Sequence, residues 1–78
     1  MDLSAQPLTI QLNGKPRIVE NAADPSQLDV LLNALELKTD RVAVELNGEI
    51  VRRSIWAETV VRGGDRLEIV HFVGGGLT

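Results

Sequence analysis

The sequence predicts a single α+β domain, a mixed sheet of four to five strands with one helix packed across it. Three observations carry that expectation. Two Asn-Gly dipeptides, Asn13-Gly14 and Asn47-Gly48, each follow a segment in which apolar residues alternate with others. A leucine stripe at helical spacing lies between them. An apolar segment then closes the chain just before Gly74-Gly75-Gly76.

Residues Met1 to Pro7 carry little pattern and read as a lead-in. Leu8, Ile10 and Leu12 then alternate with Thr9 and Gln11, the period of a half-buried strand. Asn13-Gly14 tolerates the positive φ angles of a type I′ turn, so a hairpin is expected, with Arg17 to Glu20 as its return strand. Pro16 is acceptable at the start of that strand. Asp24 reads as a helix N-cap, Pro25 as the first helical position and Gln27 as the partner in a capping box. Leu28, Leu31, Leu32 and Leu35 follow at i, i+3, i+4 and i+7, one apolar face of a helix ending near Leu35 or Leu37. That stripe is core and carries no function.

Val42, Val44 and Leu46 alternate up to the second turn, Asn47-Gly48, and Glu49 to Val51 is expected to return as a short strand. A helical turn begun at Ser54 would bring Ile55 and Trp56 over one end of the core. Thr59 to Val61 rejoins the sheet or runs along its edge. Arg62-Gly63-Gly64-Asp65 is a turn by composition. The last strand, Arg66 to Val73, is apolar with little polar alternation, which predicts a mid-sheet position buried on both faces. Two hairpins with one helix across the sheet make a β-grasp (ubiquitin-like) fold, here residues 1–73, followed by a glycine-rich tail, residues 74–78.

Size and composition narrow the function. A chain of 78 residues buries only roughly 60% of its unfolded surface, too little to carve a deep catalytic cleft easily. There is no cysteine, which excludes disulfides, thiolate metal sites and a thiol nucleophile, and one histidine, His71, makes no metal site alone. No bound cofactor and no metal are expected. The net charge of −3 gives no support to nucleic-acid binding. No apolar run approaches the ~20 residues of a membrane span, and no signal segment opens the chain, so the cytoplasm is the expected location.

The three glycines are the unusual feature. A thread without Cβ atoms can enter a narrow channel and present a carboxylate to another protein's active site, with nothing crowding the carbonyl carbon. Glycine at a chain end is also a common bland ending, so composition alone leaves both readings open.

Val44-Glu45-Leu46-Asn47-Gly48-Glu49-Ile50-Val51-Arg52-Arg53, then Trp56-Ala57, then Gly64-Asp65-Arg66-Leu67-Glu68-Ile69-Val70 with Phe72-Val73-Gly74-Gly75-Gly76 resemble the thiamine-pathway sulfur carrier (ThiS) family. The likeness spans Leu8 to Gly76 and is nearer to that family than to its molybdopterin-synthase cousin. It implies a carrier acted on by others and not an enzyme. An E1-like adenylating enzyme uses ATP to activate the carboxylate of Gly76, with Gly74 and Gly75 as the thread. Sulfur from a cysteine desulfurase or other donor converts it to a thiocarboxylate, and a thiazole synthase takes the sulfur. Leu77-Thr78 depart from the family's Gly-Gly ending: either they are trimmed before Gly76 is activated, or they are additions to the natural chain, or this copy has lost carrier activity. A related carrier for molybdopterin or amino-acid synthesis and a plain β-grasp binding module are the alternatives.

The exposed face of the last strand, Glu68, Val70 and Phe72, is where a partner is expected to dock, an apolar patch beside the tail. Arg52 and Arg53 could meet an acidic partner, but a solvated turn is the ordinary reading. Trp56 reads as a lid on the core and His71 as a solvent-facing strand residue.

Overall fold

The computed structural model describes residues 6–71. The strands are β1 (Pro7–Leu12), β2 (Lys15–Ala23), β3 (Ser26–Gln27), β4 (Val42–Leu46), β5 (Glu49–Val51), β6 (Val60–Val61) and β7 (Arg66–His71). One α-helix, α1 (Leu28–Ala34), and one 3-10 segment, Arg53–Glu58, complete the order. The main sheet runs β2-β1-β7-β4-β5, so the expected five-stranded mixed sheet with a helix across it is present. β1 and β2 are antiparallel, as are β4 with β5 and β4 with β7, while β1 and β7 run parallel.

Both hairpins turn as the sequence predicts. Asn13 and Gly14 have φ of 50° and 83°, and Asn47 and Gly48 have 53° and 89°. These are the left-handed pairs of a type I′ turn, whose twist matches that of the flanking strands. β2 is longer than the expected Arg17 to Glu20, because the pairing with β1 continues past a register shift at Pro7/Leu8 to Pro7↔Ala23.

The helix begins later than its cap signals suggest. Asp24 does not cap it, and no capping box forms. Asp24-Pro25 is a cis peptide, Ser26 and Gln27 pair with Val61 and Val60, and Gln27 occupies the N-cap position without a side-chain bond. Strand pairing to β6 has overridden the local cap chemistry. The Asp24 carboxylate instead accepts a bond from the Gly63 N–H at 3.1 Å. A Cβ on Gly63 would stand 2.6 Å from Asp24 Oδ2, so only glycine fits this approach without a shift.

The C-terminus of α1 closes in a Schellman arrangement. Glu36 takes φ of 59°, its N–H donates to Asn33 O at 2.9 Å, and the Leu37 N–H reaches Leu32 O at 3.4 Å. Leu37 packs against the core as the apolar residue that accompanies such a cap.

Leu28, Leu31 and Leu32 are fully buried and Leu35 nearly so, against Leu8, Ile10, Val44, Val61 and Leu67 from the strands. The leucine face is thus core, as its spacing indicates. Trp56 lies over one end, with its Nε1–H donating to Val51 O at 2.9 Å and the Arg53 guanidinium 4.5 Å above its ring. Arg53 also donates to Thr39 O, so one member of the arginine pair ties the 3-10 segment to the loop before β4. That segment starts at Arg53 and not at Ser54. Thr59 to Val61 forms neither part nor edge of the main sheet, because Val60 and Val61 make a separate two-stranded sheet with β3.

Burial on both faces of β7 is not found. Leu67 and Ile69 are buried, but Arg66, Glu68, Val70 and His71 are exposed, because the helix covers only one side of the sheet. The energetic asymmetry of α1 can be measured directly. Leu31→Ala empties a fully buried site and should cost about 2–5 kcal/mol in urea unfolding, whereas Val30→Ala on the exposed side should stay near 0.5 kcal/mol.

Candidate functional surface and tail anchor

β7 is the element that delivers the chain to its glycines, and it lies in the middle of the sheet. Alternation along it puts Leu67 and Ile69 under the helix and Glu68 and Val70 on the open side. Val70 is 57% exposed, a large apolar side chain on that bare face. Phe72 and the tail glycines Gly74, Gly75 and Gly76, together with Val73, Leu77 and Thr78, lie outside the described residues.

Register extends this surface sideways. Glu68 is paired with Glu45, which is paired in turn with Ile50, and Val70 is paired with Ala43. Ile50 is 73% exposed. Where β7, β4 and β5 meet, the open face therefore carries the exposed apolar side chains Val70 and Ile50 and the carboxylates of the directly opposed Glu45 and Glu68. Like charges placed opposite each other disfavour the sheet slightly on their own. A cationic group brought by another molecule would relieve that repulsion. The sequence reading reached Glu68 and Val70 but missed Ile50 and Glu45. A signal for them existed, since a two-residue turn at Asn47-Gly48 fixes the pairing of Glu45 with Ile50.

The two turn asparagines also grip β7, which the sequence reading did not foresee. Asn47 Oδ1 accepts from the Arg66 N–H at 2.9 Å, and its Nδ2 donates to Asp65 Oδ1 at 3.2 Å. The other oxygen of Asp65 accepts from the Arg62 N–H at 2.9 Å, which closes the turn before the strand. Asn13 Oδ1 accepts from the Ile69 N–H at 2.8 Å. Each hairpin tip thus contributes a side chain to the ladder of the strand between them.

Nothing else on the described surface resembles a reaction centre. An open groove of about 680 Å³ lies along β2, lined by residues that include Ile18, Glu20 and Asn21. Among the described residues Glu20 is its only ionisable lining residue, and general acid–base or nucleophilic work needs partnered groups. Among the described residues no three His, Asp or Glu side chains stand together as metal ligands, and no helix is long and apolar enough to cross a membrane.

Both the sequence and the fold match known proteins. The model of the ThiS family matches residues 10–76. The chain belongs to the ThiS family. It is 40% identical over 67 residues to the sulfur carrier protein ThiS of Bacillus subtilis, an alignment that covers 86% of this chain and 98% of that protein. It is similar in structure to the thiamine biosynthesis protein ThiS of Geobacter metallireducens, with a TM-score of 0.77, 38% identity and coverage of 88% of this chain and 100% of that one. A thiazole synthase of Paramagnetospirillum magneticum is 41% identical over 69 residues, which are 88% of this chain and 20% of that protein. The match to this ThiS-family chain stops at Gly76, two residues before its last residue, Thr78.

Proposed function

We propose that this chain is a sulfur carrier of thiamine (thiazole) biosynthesis, a protein substrate whose working group is the terminal carboxylate of Gly76. The observation that carries this reading is the family match, which runs from β1 to Gly76 and spans the length of a sulfur carrier. An E1-like adenylating enzyme joins the Gly76 carboxylate to AMP from ATP and releases pyrophosphate. A persulfide from a cysteine desulfurase then attacks the acyl carbon and expels AMP, and a thiol reduces the resulting acyl disulfide, itself becoming a disulfide, to free the thiocarboxylate; a donor at the sulfide level displaces AMP directly. A thiazole synthase takes that sulfur. Similarity to one fifth of a thiazole synthase supports a physical link between the two activities. The chemistry acts on a free carboxylate, so Leu77 and Thr78 must be removed before Gly76 is activated. The cytoplasm, where ATP and the partner enzymes would be available, is the site of action.

The domain contributes docking and presentation. Val70 and Glu68, with Ile50 and Glu45 beside them and Phe72 following in sequence, form the surface that the adenylating enzyme grips. Gly74 and Gly75 are the thread into its site. Catalytic groups and ATP belong to the partner.

Incubating the form that ends at Gly76 with its adenylating enzyme, ATP and a sulfur donor, followed by intact-mass measurement, tests the reading. A gain equal to exchanging one oxygen for sulfur is expected, and an unchanged mass would overturn it. The docking surface has its own test in steady-state kinetics of adenylation. Val70→Lys should raise KM for the carrier at least tenfold, about 1.4 kcal/mol of binding, while changing fold stability by less than about 1 kcal/mol. An unchanged KM would move the contact off this face.

A further inference from the structure

We propose that the Asn13-Gly14 step is a site of spontaneous covalent modification, where the Asn13 side-chain amide converts to a carboxylate, and that Asp65 locks the matching Asn47-Gly48 step against the same change. The proposal does not depend on the carrier reading. The chemistry needs no enzyme. The backbone nitrogen of the glycine, once deprotonated, attacks Cγ of the preceding asparagine and the bond from Cγ to Nδ2 breaks. Ammonia leaves, taking up a proton to replace the one the glycine nitrogen lost. Water then opens the cyclic imide at one of its two carbonyls, which yields aspartate or isoaspartate. Glycine permits this most readily, because no Cβ crowds the attacking nitrogen. In this chain a Cβ at Gly14 or Gly48 would meet nothing within 4 Å, so the space beside each glycine is open.

The two steps form a matched pair. Each lies in a Leu-Asn-Gly run, Leu12-Asn13-Gly14 and Leu46-Asn47-Gly48, and each asparagine is exposed to water. Their φ angles, 50° and 53°, put them at the same place in the same turn, so backbone hindrance to ring closure is shared. Each backbone N–H donates to a β7 carbonyl, Asn13 to Leu67 O at 2.9 Å and Asn47 to Arg66 O at 2.7 Å. Each Oδ1 accepts a β7 N–H, from Ile69 at 2.8 Å and from Arg66 at 2.9 Å. One contact separates them. Asn47 Nδ2 donates to Asp65 Oδ1 at 3.2 Å, whereas among the described residues the Asn13 side chain is held by its oxygen alone. Asp65 is itself fixed, its second oxygen accepting from the Arg62 N–H at 2.9 Å. The Asn47 amide is thus pinned at both ends, and its leaving nitrogen must surrender a bond to a carboxylate before the ring closes. The products differ as well. Aspartate at position 13 keeps an acceptor for the Ile69 N–H, while aspartate at position 47 would set two carboxylates against each other. Isoaspartate adds a methylene to the backbone of a turn whose length sets the hairpin register.

Incubation of the full chain at mildly alkaline pH, with timed trypsin digestion and peptide mass measurement, tests this. Residues 1–17 carry Asn13 and residues 42–52 carry Asn47, each as the only asparagine of its peptide. The 1–17 peptide should gain the mass of OH in place of NH2 at least about tenfold faster than the 42–52 peptide, the weight of one bond to a charged group. In guanidinium chloride the contact with Asp65 is gone, and the two rates should converge. Asp65→Ala should raise the Asn47 rate to that of Asn13 in the folded chain and leave Asn13 unaffected. The wild-type comparison stands whether or not that variant folds. An Asn13 that stays unmodified, or equal rates in the folded wild-type chain, would overturn the proposal. A difference that persists in guanidinium chloride would also overturn it, because neighbouring sequence and not Asp65 would then set the asymmetry.

Discussion

The main sheet consists of two hairpins that never touch each other edge to edge. β1-β2 and β4-β5 are joined only because β7 inserts between β1 and β4. A two-stranded hairpin is marginal on its own, so neither half is expected to persist without that third strand. β7 also supplies Leu67 and Ile69, which meet the leucine face of α1, so closure of the sheet and completion of the core are one event. The partners of β7 lie far away in sequence, as the Ile69 to Asn13 bond shows across 56 positions. Such pairing carries a loop-closure cost before it is rewarded. Burial of the leucine stripe offsets that cost, and the asparagines at the hairpin tips add fixed polar contacts along the strand.

In the proposed carrier, this arrangement sets the glycines that would present the sulfur-bearing carboxylate just after a strand paired on both edges. The last strand is gripped on both edges, and the glycines follow it within a few residues. A carrier acted on by several enzymes gains from that geometry, because each partner meets the same rigid face and the same starting point for the thread. One face of the strand is committed to the core and the other is left bare, which gives the surface and the tail a common support.

Much of the fold was legible because local chemistry and tertiary pairing agree. Both Asn-Gly turns, the leucine face and the lid role of Trp56 follow from residue type and spacing, and each is found in place. The central position of β7 was readable from its apolar character, but not the fate of its second face. Val70 is apolar and exposed, so a pattern that counts apolar residues mistakes a bare face for a buried one. The helix start was misread for the opposite reason. Asp24, Pro25 and Gln27 form a good local cap signal, yet Ser26 and Gln27 are drawn into pairing with β6, which no local pattern reveals. At the functional surface, Glu68 and Val70 were visible from their place before the tail. Ile50 and Glu45 required register, and the reach of Asn13 and Asn47 to β7 required the three-dimensional order of strands.

The central claim is that Gly76 is the working end of the chain, carried on a strand that the rest of the domain holds still. Its most direct test is the intact mass of the protein isolated from its native cell. The account predicts a chain ending at Gly76, with a fraction bearing sulfur in place of one terminal oxygen. A population that ends only at Thr78, with Gly76 locked in a peptide bond, would contradict it.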